Sequence, residues 1–323
     1  MEPDTVDLKT ARKTYSTIGI ALTVLSVVTT VLQLLWFSIP GENSWMVSTS
    51  WGYWLGSFLP QYLVAMPLAL LILKRIPGDA PAQQKLPGKA FFTIIPICLF
   101  MMYAGNLLGN LLSMLFSGGN AENPVMGYAM DNNPIKVVVM VILAPLFEEL
   151  VCRKMVIDRT RQHGERSAVF LSALLFALMH QNLFQFFYAF GLGYLFAYIY
   201  LRTGRLHYTV LLHGFINLLG GVVAPFILSA LDLDALMNMD AAMDPELLLT
   251  ILPGLLVYLL YAFALMGLSV AGLVLLLVKR QNARWQEAPQ PLPKEQRFKT
   301  VYLNVGMVVF ILLCLASCVL ALI

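Results

Sequence analysis

Along this 323-residue chain the apolar residues gather into nine long blocks separated by short polar connections. The blocks fall at about 16–39, 51–73, 90–116, 136–157, 167–182, 184–201, 207–231, 248–278 and 301–323. About 20 apolar residues in a helix cross the hydrocarbon of a bilayer, so each block predicts a spanning helix, the pair 167–182 and 184–201 being the shortest. The expected fold is all-α: a polytopic membrane protein of about nine transmembrane helices. The first block follows a polar start carrying Lys9, Arg12 and Lys13 and is too long for a signal-peptide core, so it is expected to stay as an uncleaved anchor. Composition agrees: 59% of residues are hydrophobic and only 12% are charged, with a mean hydropathy of +0.75. So few charges cannot coat a water-facing globule of this size, and disordered, collagenous and disulfide-scaffold classes are excluded as well. A net charge of +3 gives no reason to expect a nucleic-acid partner.

Placement of the charges says more than their sum. All 21 basic residues except Lys136 lie at the N-terminus or on every second connection, in the groups Lys74 to Lys89, Arg153 to Arg166, Arg202 with Arg205, and Lys279 to Lys299. The N-terminus is therefore expected in the cytoplasm and, with nine crossings, Ile323 outside. The opposite connections are neutral or acidic, as in the stretch with Asp232, Asp234, Asp240, Asp244 and Glu246, and Trp36, Trp45, Trp51 and Trp54 are expected at the outer interface. No internal repeat or soluble module is visible. Residues 281–299, with Pro289, Pro291 and Pro293 among charges, read as a cytoplasmic linker before an appended last helix. Cys98, Cys152, Cys314 and Cys318 all lie in apolar blocks and imply no disulfide.

Polar side chains inside spanning helices are costly and point to function by default. Of the 18 acidic residues only Glu148 and Glu149 lie well inside an apolar block, in Val141-Ile-Leu-Ala-Pro-Leu-Phe-Glu-Glu-Leu-Val-Cys-Arg153. Arg153 is one helical turn beyond Glu149 and can pair with it at i, i+4, whereas Glu148 points about 100° away and is free for another task. His180 ends the segment 172–180 with Phe176 one turn before it, and His213 with Asn217 makes a second i, i+4 pair. His163 and His207 fall in cytoplasmic connections and read as solvated. Singly, the buried polar groups fit a structural ion cluster or interhelical hydrogen bonds; together they are the parts of an amide hydrolase. A carboxylate beside a neutral imidazole can take a proton from water, and a second imidazole with an amide N–H can stabilise the oxygen that becomes negative on attack. The same ligand types suit zinc, which Glu148, His180 and His213 would hold with one position open.

Glu-Glu-x-x-x-Arg at 148–153, Phe-x-x-x-His at 176–180 and His-x-x-x-Asn at 213–217, in that order on successive helices, resemble the three motifs of the CPBP intramembrane proteases. That family includes CAAX prenyl endopeptidases and Abi-type bacterial proteins of bacteriocin processing or self-immunity. The resemblance covers about 136–225, including Gly191-x-Gly193 and the Thr203-Gly204 turn, and divides the chain into N-terminal transmembrane helices (1–135), a CAAX-protease-like helical core (136–231) and C-terminal transmembrane helices (232–323). It implies an intramembrane endopeptidase acting on a membrane-associated protein or peptide. Glu148 would be the base activating water with His180, Glu149 the partner of Arg153, His213 and Asn217 the oxyanion site, and Phe176 the residue that positions its helix. The family has been described both as metalloproteases and as metal-independent glutamate proteases. The second is expected here, because the residues fill every role without an ion and Glu149, claimed by Arg153, leaves no carboxylate to support a ligating histidine. No His-Glu-x-x-His, Gly-x-Gly-Asp or Gly-x-Ser-x-Gly motif occurs.

His180 lies about 20 Å along its helix from Ser167, too far outward for a straight spanning helix. Helices five and six are therefore expected to form a hairpin that stops short of the outer face and lines a wet cavity. A proton-coupled transporter using the same carboxylates, and a non-catalytic scaffold of the same fold, are the rival readings; the absence of inverted repeats and the intact motifs weigh against them. Compact loops and helix layout point to a bacterial plasma membrane, with lipid and a peptide or membrane-protein substrate as partners.

Overall fold

The structure is a computed structural model that describes residues 7–229, 231 and 245–323. The acidic residues Asp232, Asp234, Asp240 and Asp244 lie outside the described residues. Every regular element among the described residues is helical, as the long apolar blocks predict: a backbone in hydrocarbon satisfies its hydrogen bonds within a helix. In chain order, α1 is Leu8–Ser38, α2 Ser50–Leu73, α3 Gly88–Ser117 and α4 the short Pro124–Met130. A helix over 137–160 is α5. It leads into α6, Glu165–Met179, α7, Leu183–Thr203, and α8, Leu206–Ser229. Then come α9, Pro245–Lys279, α10, Lys294–Val301, and α11, Val305–Leu320.

Six of these, α1, α2, α3, α7, α8 and α9, are long and apolar enough to cross a membrane, and α10 with α11, bent by 59° at their junction, make a seventh candidate. Nine crossings were expected. The two blocks that fall short, 136–157 and 167–182, carry Glu148, Glu149, Arg153 and His180. Block 136–157 becomes α5, which holds Glu148, Glu149, Arg153, Lys154, Asp158 and Arg159, too many charges for an ordinary span. Block 167–182 becomes α6, with 15 residues, about 22 Å at 1.5 Å per residue. The two helices of the expected short hairpin differ in length. α6 stops early, but α7 with 21 residues is long enough to span.

Four wide, π-type segments interrupt the helices, at Pro60–Ala65, Val137–Leu143, Leu150–Met155 and Leu219–Val223. Three of them end two residues before a proline, Pro67, Pro145 or Pro225. Proline has no N–H for the turn behind it and its ring crowds that turn, so the helix widens ahead of it.

The largest apolar cluster joins α1, α2, α5, α6 and α11, through Tyr15, Ile18, Met66, Val151, Leu175, Phe176, Met307 and Phe310 among others. Close helix contact relies on glycine at several crossings. A Cβ on Gly19 of α1 or on Gly306 of α11 would collide with the facing backbone, and one on Gly105 or Gly109 of α3 would meet the first turns of α7. The segment read as a linker is docked. Arg284 N donates to Tyr198 Oη at 3.1 Å, Gln286 N to Glu165 Oε2 at 2.7 Å and Gln290 N to the Gln162 carbonyl at 3.0 Å. Leu292 is buried within the main core, and α10 follows at once. All four cysteines are free thiols. His207 is exposed as expected, but His163 is buried, its Nδ1 3.1 Å from Tyr15 Oη.

Candidate active site

Pro145 sets the local geometry. In the widened turn 137–143 each carbonyl seeks the N–H five residues on, so the Met140 carbonyl looks to residue 145, which has none. Asn217 of α8 supplies the missing donor: its Nδ2 lies 2.8 Å from the Met140 oxygen. One turn earlier, Gly214 lets the α8 backbone approach so closely that a Cβ there would stand 2.8 Å from the Val141 oxygen. α8 is thereby locked onto the opened stretch of α5, and His213 is carried over the next turn, where the two glutamates lie.

Glu149 and Arg153 are both fully buried. Arg153 donates Nε and Nη2 to the two carboxylate oxygens at 2.9 and 3.0 Å, the fork-to-fork pairing expected from i, i+4 spacing. Arg153 Nη1 donates to Ser172 Oγ of α6 at 3.2 Å, and that hydroxyl donates to the Cys152 carbonyl at 2.7 Å. The guanidinium lies 4.4 Å from the centre of the Phe176 ring and 5.9 Å from that of Phe196. Glu149 is not committed to Arg153 alone, because His213 Nδ1 stands 3.1 Å from its Oε1. The expectation that no carboxylate remains to support a histidine is thus corrected. An ionised carboxylate only accepts, so Nδ1 carries the proton and Nε2 is turned outward.

What Nε2 faces is Glu148 Oε2, 3.8 Å away. Glu148 keeps 16% of its side chain exposed, and no side chain or backbone N–H among the described residues hydrogen-bonds it. His180 caps α6 and holds its Nδ1 2.8 Å from the Phe176 carbonyl, which again fixes the proton on Nδ1 and leaves Nε2 available. The Phe176 ring packs edge-on against both imidazoles, 5.0 Å from His180 and 5.5 Å from His213. Gly193 of α7 permits this, since a Cβ there would come within 3.0 Å of that ring. After His180 the chain reverses through Gln181 at φ 54°, a left-handed residue ending the helix. Asn182 then caps α7 through Gln185 N at 2.9 Å and donates to the His180 carbonyl at 2.7 Å.

The expected residues therefore gather from α5, α6 and α8, with contacts that differ from expectation in two respects. His213 bridges both glutamates, and Asn217 spends one amide hydrogen on Met140. Glu148 and His180 share no direct hydrogen bond. Ser172, Phe196 and the Met140 carbonyl belong to the site and went unread in the sequence; Ser172 opens the 172–180 motif, and Pro145 marks the free carbonyl. As for zinc, no three His, Cys, Asp or Glu side chains among the described residues converge as ligands. Glu148 Oε2 and His213 Nε2 lie 3.8 Å apart, and His180 offers its Nε2 from the end of α6.

Residues 131–219 match the family model of type II CAAX prenyl endopeptidases, Rce1-like. All six candidate residues lie within that stretch. Over this stretch the chain is similar to the CAAX-type membrane proteases that its three motifs resemble. A relative from Bacillus subtilis (strain 168), named "Putative membrane peptidase YdiL", is 20% identical over 161 residues, 48% of this chain and 66% of the relative. The match thus spans just under two thirds of that relative's own length. No solved structure matches the chain.

Proposed function

We propose that this multi-pass membrane protein is an intramembrane endopeptidase that cleaves a peptide bond of a membrane-associated protein or peptide with water activated by Glu148. The observation that carries the reading is the division between two neighbouring carboxylates. Glu149 is consumed by Arg153 and His213, whereas Glu148 stands part-exposed with no hydrogen bond of its own and an imidazole nitrogen 3.8 Å away. A carboxylate in that position accepts a water hydrogen, and His180 Nε2 orients the same water. As the oxygen attacks, its proton passes to Glu148 and the scissile carbonyl becomes an oxyanion. The oxyanion role requires His213 to enter the step with both nitrogens protonated, Nδ1–H held by Glu149, which balances its charge, and Nε2–H donated to the oxygen; the second hydrogen of the Asn217 amide adds a donor. Glu148 returns the proton to the leaving nitrogen as the C–N bond breaks, giving a carboxylic acid and an amine. No step needs an ion.

Quantitative analysis of new peptide termini in membranes from cells expressing wild type or Glu148→Gln tests this. Termini present only with wild type should fall by about 10²-fold in the variant while the protein still inserts. Undiminished cleavage by the variant refutes the assignment. Stoichiometric zinc in the purified protein, with cleavage lost on chelation and restored by zinc, refutes the metal-free form. The basic connections support a cytoplasmic N-terminus and an external C-terminus; reporter fusions after Arg284 and after Ile323 should report opposite sides.

A further inference from the structure

Away from the glutamates, two hollows are walled in part by the same two helices, α6 and α10. One, about 350 Å³, is apolar and lined by Phe170, Leu174, Phe298, Tyr302, Ile311 and Leu312 with neighbouring apolar residues. The other, about 410 Å³, lies at the basic end and includes Arg166, Trp285 and Arg297. Arg166 is one turn before Phe170 on α6, and Arg297 immediately precedes Phe298 on α10. Both walls therefore change from cationic to apolar at the same level. α10 and α11 are bent by 59° at their junction, beside the apolar hollow.

The charges at the polar end do not cancel. Glu165 is taken up by Arg202 and by Gln286 N. Arg166 has no carboxylate partner among the described residues and lies 5.5 Å from the Trp285 ring centre. Arg297 makes a single long bond, Nη2 to the Leu292 carbonyl at 3.3 Å, and its Nε is buried without a partner. Glu287 is the one acidic residue of the hollow left to oppose them, and it is exposed.

We propose that this crevice is a binding site for one anionic glycerophospholipid of the surrounding membrane, its phosphate between Arg166 and Arg297 and one acyl chain along Phe170, Leu174 and Leu312. The occupant follows from the order of surfaces. A cation pair that gives way along the same two helices to an apolar groove matches a phosphate ester joined to an acyl chain, and neither surface alone would select it. α6 also carries Ser172, Phe176 and His180, so the lipid would brace the helix that presents the candidate histidine.

Native mass spectrometry of the full chain, released from detergent after titration with phosphatidylglycerol or with phosphatidylcholine of the same acyl chains, tests the site. One phosphatidylglycerol should be retained with about 30-fold preference, the amount expected from two basic side chains at a membrane surface. Arg166→Gln with Arg297→Gln should abolish that preference. Leu312→Trp, a change at an exposed position, should remove retention of both lipids by filling the groove. Equal retention of the two lipids by wild type overturns the proposal without recourse to any variant. So does displacement by soluble glycerol phosphate at equal concentration, which would mark an anion pocket with no lipid specificity.

Discussion

Replacing Glu149 by Gln keeps the side chain's shape and removes its charge where the structure leaves the least room for doing so. The carboxylate takes two hydrogen bonds from Arg153, at 2.9 and 3.0 Å, and one from His213 at 3.1 Å, and both members of the ion pair have no exposed side-chain surface. A glutamine offers one oxygen to three donors and turns an N–H₂ toward a guanidinium or an imidazole. Breaking a buried pair by neutralising one member costs about 3–5 kcal/mol, because the other charge stays behind in low dielectric. Ser172 and the Phe176 ring still contact Arg153, so we expect the low end, about 3 kcal/mol, or more than 100-fold in the unfolding equilibrium. Unfolding in mixed micelles titrated with sodium dodecyl sulfate, followed by circular dichroism, reads this directly. Glu148→Gln is the internal control and should stay within about 1 kcal/mol of wild type, its side chain being part-exposed and unbonded. Glu149→Leu combined with Arg153→Met should recover much of the loss, since apolar residues of similar volume often replace a buried pair without penalty. Glu149→Gln at wild-type stability, or an equal loss in Glu148→Gln, would show that the carboxylates are not divided as described.

Two further outcomes are expected. Burial holds the His163 imidazole below its ordinary value of 6.5, so the unfolded chain binds this proton more readily than the folded one. The stability it contributes is present above about pH 6.5 and lost as pH falls toward the lowered folded value; His163→Asn should flatten the stability–pH curve in that range, and an unchanged slope would rule the residue out. Asn217→Ala should lower cleavage by about 10²-fold and stability by only about 1 kcal/mol; activity that falls no further than the folded fraction would leave Asn217 as a helix clamp alone.

Much of this site was legible because its parts are local. Glu149 with Arg153, His180 with Phe176 and His213 with Asn217 are each one turn apart on a helix, and a polar residue in an apolar block is conspicuous. The spacing places Glu148 and Glu149 about 100° apart and so predicts two roles. Contacts between helices were not legible in this way. Nothing in the α8 sequence says that His213 reaches Glu149 as well as Glu148, and nothing in residues 281–299 says that Leu292 inserts into the core. A Pro-rich charged stretch and a docked strap have the same composition. His163 illustrates the same limit: its polar neighbours in sequence suggested solvent, while Tyr15, far away on α1, covers it. The crossing count differs for a related reason: apolar blocks register in the sequence, whereas α5 carries charges and α6 is short, so neither meets the length and composition of a span.

The widened turns tie these observations together. Pro145 deprives the Met140 carbonyl of its donor, and in hydrocarbon an unpaired carbonyl is costly, so α5 carries a standing demand for a hydrogen bond from a neighbour at that level. Asn217 meets it, and Gly214 allows the approach. Once that contact is made, the register of α8 against α5 is fixed, and the residue one turn before Asn217 must face the turn of α5 that follows Pro145, where the glutamates lie. His213 is that residue. The His-x-x-x-Asn spacing thus combines a register lock and a chemical group on a single helix face. Moving the asparagine by one residue would turn its amide by about 100° away from Met140 and loosen the seat of His213 on Glu149.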